Sequence, residues 1–126
     1  MTVEELQEEI EQQKALMVAV ATGGPRIQEV NTEYRHRRST LRRELEQLGL
    51  TDPNPFADLW KWYGKWSTDL SSYASRREYV SDLYQPLLDQ LSGVTASVAF
   101  KLRDDPTGVK GGLIVSIFDG LFLDTI

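Results

Sequence analysis

Apolar residues recur every three or four positions along most of this chain, the period of a helix with one buried face. In the first segment, about 2–21, Val3, Leu6, Ile10, Met17 and Val20 hold that spacing, with Gln13 the one polar residue in the row. Thr2 and Glu5 fit a capping box, in which a hydroxyl and a carboxylate satisfy amide donors of the first turn. Gly23, Gly24 and Pro25 end the pattern, glycine suiting a helix end and proline the first turn of the next helix. The second segment, about 25–48, carries Ile27, Val30, Tyr34, Leu41, Leu45 and Leu48, with one empty rung at Arg37 or Arg38. Gly49 and Leu50 predict a left-handed stop with an apolar clasp onto the last turn. Two long helices joined by a tight Gly-Gly-Pro turn are expected to pack antiparallel.

Asn54 and Pro55 are placed as cap and first residue of a third helix, about 55–66. Its stripe of Phe56, Leu59, Trp60, Tyr63 and Trp66 is expected to enter the core, leaving Trp62 at the edge and partly exposed. Gly64 weakens this helix. Ser75 and Glu78 form a second capping box and open a fourth helix, about 75–91, with Val80, Leu83, Tyr84, Leu87, Leu88 and Leu91 on one face. Pro86 lies inside it and predicts a kink, because it removes a backbone donor.

After Gly93 the pattern changes. Val98, Phe100 and Leu102 alternate with Ala99 and Lys101, as in a strand. The apolar run that starts at Leu113 reads either as a second strand, completing a hairpin with 97–102, or as a helix with Ile114, Ile117, Phe118, Leu121 and Phe122 on one face. The expected fold is mainly α: a four-helix antiparallel bundle-like domain over 1–93. A short C-terminal β-hairpin or apolar tail, 94–126, then packs on it or on a partner.

Composition narrows the chemistry. With 126 residues, 40% apolar and 26% charged, the chain has the size and character of one globular domain. The absence of cysteine excludes disulfides, thiolate metal sites and cysteine nucleophiles, and one histidine excludes any site needing two from a single chain. The first eleven residues hold five glutamates and no basic residue, unlike a secretory signal. No segment approaches the roughly 20 apolar residues of a membrane span, so no membrane partner and a cytoplasmic location are expected.

Five arginines occur within nine residues: Arg35, Arg37, Arg38, Arg42 and Arg43. On a helix Arg35, Arg38 and Arg42 share one side. One reading is a phosphate- or nucleic-acid-binding ridge of Arg35, Arg38, Arg42 and Arg43 with Trp62 stacking on a base, since guanidinium forks match phosphate oxygens. The other is a solvated face whose arginines pair with the acidic first helix and with Glu44 and Glu46. The net charge of −5 favours the second. His36, between arginines, reads as a surface residue. The Gly23-Gly24 pair lacks the lysine and hydroxyl of a nucleotide loop and reads as punctuation. The sequence shows no clustered acidic motif for a metal-dependent hydrolase, and no cofactor is expected. Leu113, Ile114, Ile117, Phe118, Leu121 and Phe122 form the candidate partner-binding surface, since large apolar patches are seldom left in water.

The run from Met17 through Thr22-Gly23-Gly24-Pro25-Arg26 to Asn31, followed by Glu33-Tyr34, resembles the amino-terminal helical module of bacterial proteins of the abortive-infection type. So do Asn54-Pro55-Phe56, Asp58-Leu59-Trp60, Trp62-Tyr63-Gly64, Trp66-Ser67, Tyr73 and Ser75-Arg76-Arg77. The resemblance covers about 16–91. In those proteins the module is often followed by a domain of the HEPN ribonuclease class, which residues 94–126 do not resemble, so the resemblance implies a setting in phage defence and a role in sensing or assembly rather than that activity. The resulting expectation is a non-enzymatic module that binds another protein or itself, the alternative being a nucleic-acid-binding accessory protein.

Overall fold

A computed structural model describes the backbone of residues 1–104 and the side chains of residues 1–94. Among the described residues the fold is mainly α, a bundle of four helices: α1 (Val3–Ala21), α2 (Ile27–Gln47), α3 (Leu59–Asp69) and α4 (Tyr73–Asp104). Contacts divide the chain after Leu91, and the core described below belongs to the unit Met1–Leu91.

Local chemistry sets the helix ends. The Thr2–Glu5 capping box forms, with Glu5 N–H donating to Thr2 Oγ1 at 3.0 Å and Thr2 N–H to Glu5 Oε1 at 2.8 Å. Gly23 takes a φ of +86° and lets Gly24 N–H reach Ala19 O at 2.7 Å. The chain passes so close there that a Cβ on Gly24 would lie 2.5 Å from the Ala19 carbonyl oxygen. Gly24→Ala must therefore push backbone against backbone. It is expected to lower stability by about 1–3 kcal/mol, read as a shift of the urea midpoint. At the far end of α2, Gly49 (φ +73°) donates to Glu46 O at 3.0 Å and Leu50 to Leu45 O at 2.9 Å, the paired bonds of a Schellman stop.

The polar bonds between α1 and α2 show their direction. The Met1 amino group meets Glu44 at 3.4 Å, Arg37 Nε meets Glu9 at 3.1 Å and Gln13 Nε2 donates to Tyr34 O at 3.2 Å. As one index rises the other falls, so the helices run antiparallel. Leu6, Ile10, Met17 and Val20 of α1 and Ile27, Tyr34, Leu41 and Leu45 of α2 supply one side of the core. Val80, Tyr84, Leu87 and Leu91 of α4 supply the other. Gln13 is fully buried in that row, its amide nitrogen bonded across to α2.

The third helix departs from the expected one. It starts at Leu59 rather than Pro55, and its cap is Asp58, whose Oδ1 accepts from Lys61 N–H at 2.9 Å. The phase then puts Leu59, Trp62 and Trp66 inside. Trp62 is 0% exposed, not at the edge, while Trp60 at 52% and Tyr63 at 46% lie outside the core. An aromatic-rich segment satisfies two helical phases at once, and the position of the cap decides between them. Trp62 Nε1–H donates to Met17 O at 2.8 Å, and the ring stacks on Tyr79 at 5.6 Å and meets Phe56 and Trp66 at 5.3 and 5.4 Å.

The fourth helix also differs. It opens at Tyr73, and the hydroxyl of Ser72 accepts from Ser75 N–H at 3.0 Å, so Ser72 takes the capping role expected of Ser75. Arg76, on its first turn, donates to Leu70 O and Ala21 O, both at 2.8 Å, tying α4 to the ends of α3 and α1. Pro86 stands inside α4 at an exposed position. The helix runs through Gly93 to Asp104, which overturns the strand expected at 97–102. Five alternating residues cannot tell the two periods apart, and Ala96, Ala99, Lys101 and Arg103 are better helix formers than strand formers. The second half of the expected hairpin lies outside the described residues.

Candidate functional site

The arginine-rich stretch of α2 builds the candidate site. The spacing of α2 brings Arg35, Arg38, Ser39, Arg42 and Arg43 together along one open groove of about 400 Å³, lined also by Glu46 and by Ala57 of the connector 48–58. All four arginines expected to form the ridge are in it.

Their pairing is unequal. Arg37, which the groove excludes, takes the carboxylates: Nε reaches Glu9 at 3.1 Å and Nη1 reaches Glu33 at 3.2 Å. Glu44 meets the amino terminus instead of an arginine. Among the described residues Arg35, Arg42 and Arg43 form no ion pair within 4 Å, so the expected pairing of the ridge with the acidic first helix holds for Arg37 and fails for these three. Arg38 is half-buried. Its Nη2 donates to Asn54 O at 3.1 Å, and its buried Nε has no hydrogen-bond partner among the described residues.

Behind Arg38 lies a buried polar knot that the sequence reading missed. Asn54, expected as a helix cap, is 2% exposed at the centre of the bundle. Its Nδ2 donates to Tyr34 Oη at 2.8 Å and Tyr84 Oη at 2.9 Å, and its Oδ1 accepts from Phe56 N–H at 3.0 Å. Tyr34 Oη donates onward to Phe56 O at 2.6 Å. Burial pushes the Tyr34 phenol up to about 12, against the Asn54 hydrogen bond and the Arg38 charge. It pushes the Tyr84 phenol up further, with help from the Asp52 charge. Both stay protonated in ordinary conditions and act as hydrogen-bonding struts. Asp52 accepts from Asn54 N–H through Oδ1 at 2.9 Å, while Oδ2 is buried without a partner among the described residues. Burial pushes this carboxyl up from its ordinary value, opposed by the Asn54 N–H and the charges of Arg38 and Arg42. The knot therefore fixes the connector and, through Arg38, one wall of the groove. The available signal was the pair Tyr34 and Tyr84, polar-tipped aromatics at core positions, facing a connector that holds asparagine and aspartate.

The remaining expected residues fall elsewhere. Trp62 is in the aromatic core and offers no face to a base at the ridge. His36 is exposed on α2. Among the described residues no three His, Asp or Glu side chains are placed to hold a metal ion, and no helix is long and apolar enough to cross a membrane. The six tail residues Leu113, Ile114, Ile117, Phe118, Leu121 and Phe122 lie outside the described residues. Comparison with protein-family models, curated proteins and solved structures finds no match to this chain.

Proposed function

We propose that this chain is a non-enzymatic interaction module that takes an acidic stretch of a protein in the arginine groove of α2. The observation that carries this reading is that Arg35, Arg42 and Arg43 share one groove with Arg38 and have no carboxylate of their own within ion-pair distance among the described residues. Guanidinium groups in a row with a serine hydroxyl between them suit carboxylates at helical spacing, each a charge-assisted hydrogen bond.

A protein ligand is favoured over nucleic acid on two grounds. Trp62, the residue expected to stack on a base, is buried against Met17. The groove includes Glu46, and the whole chain carries −5, which opposes a dense phosphate polymer more than a short carboxylate stretch. The setting in bacterial defence rests on the likeness of residues 16–91 to abortive-infection modules.

The test is titration of the full chain with a short poly-glutamate peptide and, separately, with single-stranded RNA of equal charge. The peptide is expected to bind and to weaken steeply as salt shortens the screening length from about 30 Å at 0.01 M to about 8 Å at physiological ionic strength. Arg35→Glu with Arg42→Glu is expected to abolish binding without changing the helical signal. Tighter binding of the RNA would put the nucleic-acid reading in its place. Absence of peptide binding at low salt would remove the acidic-ligand reading.

A further inference from the structure

The same chain carries a row of carboxylates that matches the groove. Resting on the reading of the groove as an acid-binding surface, we infer that its occupant is α1 of a second copy of this chain, lying antiparallel along α2. On α1, Glu5 closes the capping box and Glu9 pairs with Arg37, so both are used within the fold. Glu4, Glu8 and Glu11 are exposed and lie four and three residues apart, along one side of the helix. Among the described residues Glu11 pairs with Lys14 of its own helix, at 3.4 Å, a surface pair of the kind that contributes little and is readily exchanged.

The groove reads the same intervals in the opposite direction. From Arg42 to Arg38 is four residues and from Arg38 to Arg35 is three. At 1.5 Å per residue both rows step by about 6 Å and then about 4.5 Å. Laid antiparallel, Glu4 falls on Arg42, Glu8 on Arg38 and Glu11 on Arg35. The opposite orientation sets a step of four against a step of three and loses one pairing. Antiparallel packing also sets the amino-terminal turns of the incoming α1 beside the later turns of α2. Opposite ends of the two helix dipoles are then neighbours.

A single helix laid on another covers less than the roughly 1,200 Å² of a standard interface, so the contact is weak and depends on charge. Its test is sedimentation of the full chain over a range of concentration at low and at high salt. The wild type is expected to gain mass with concentration at low salt and to be monomeric at high salt. Arg38 is left unchanged, because it also holds Asn54. Glu4→Lys with Glu11→Lys, and separately Arg35→Glu with Arg42→Glu, are each expected to be folded by circular dichroism and monomeric alone. Mixing the glutamate-to-lysine variant with the wild type is expected to restore no more than half of the wild-type contacts. A chain carrying all four changes, Glu4→Lys, Glu11→Lys, Arg35→Glu and Arg42→Glu, presents reversed rows that match again and is expected to recover self-association.

A wild type that stays monomeric at low salt overturns the inference. So does association that survives Glu4→Lys with Glu11→Lys, or a fourfold variant that is folded yet monomeric. Poly-glutamate binding separates the two levels. If the peptide binds and the chain does not self-associate, the second-copy inference falls and the groove reading stands. If neither occurs, both fall.

Discussion

Trp62→Ala is expected to destabilise the domain by about 3–5 kcal/mol, the usual cost of removing a large buried aromatic. The loss has three parts. The ring's contacts with Phe56, Trp66 and Tyr79 disappear together. A cavity opens where α3 meets the core. The Met17 carbonyl oxygen loses the indole N–H that approaches it at 2.8 Å. Against a total stability of about 5–15 kcal/mol this is a large fraction. Trp60→Ala, two residues away, is the matched control. Trp60 is 52% exposed, and its truncation is expected to change stability by less than about 1 kcal/mol, as for ordinary surface positions. The measurement is the urea midpoint of both variants by far-ultraviolet circular dichroism. Equal effects at the two positions would contradict the assignment of the inner face of α3.

Asn54→Leu is expected to cost about 2–6 kcal/mol although it replaces a polar residue with an apolar one of the same branched outline in a buried site. Leucine leaves Tyr84 Oη without the amide donor at 2.9 Å and leaves Phe56 N–H without its acceptor at 3.0 Å. A buried group deprived of its partner costs about 1–3 kcal/mol. Tyr34 retains its bond to Phe56 O, which limits the loss. Arg38 bonds the main-chain oxygen of residue 54, so the variant separates the knot from the groove. Poly-glutamate is expected to bind a folded Asn54→Leu chain with at most a few-fold loss. A midpoint within about 0.5 kcal/mol of wild type would show that the knot contributes nothing to stability.

Legibility followed from how many neighbours each element needed to define it. α1 and α2 each carry a long apolar row with local stop signals, and Thr2, Gly23, Gly49 and Leu50 act within their own turns, so their placement reads from sequence to within two residues; Pro25, expected in the first turn of α2, stands before its cap Arg26. α3 is short and aromatic on several sides. Its phase depends on whether Asn54 or Asp58 caps it, and that depends on Tyr34 and Tyr84 drawing Asn54 inward. No window of the third segment contains that information. The same holds for 97–102, where alternation over a few residues was outweighed by continuation of α4. The ridge arginines were legible as a group because they lie on one regular helix. Which of them is left without a carboxylate was not, since the choice of Arg37 by Glu9 requires the register of α1 against α2.

The connector 48–58 contains no helix, yet its Asn54 and Phe56 are buried and bonded to α2 and α4. Connectors of this length are ordinarily where proteases enter and where amide protons exchange by small local openings. Here pulling Asn54 out breaks its bonds to both tyrosines and to Arg38. The amide of Phe56, which donates to Asn54 Oδ1, is therefore expected to exchange only in openings that unfold the helices around it, read by native-state hydrogen exchange. The least regular stretch between the helices is thus a keystone of the domain, and insertions there are expected to be tolerated less well than in α3's outer turns.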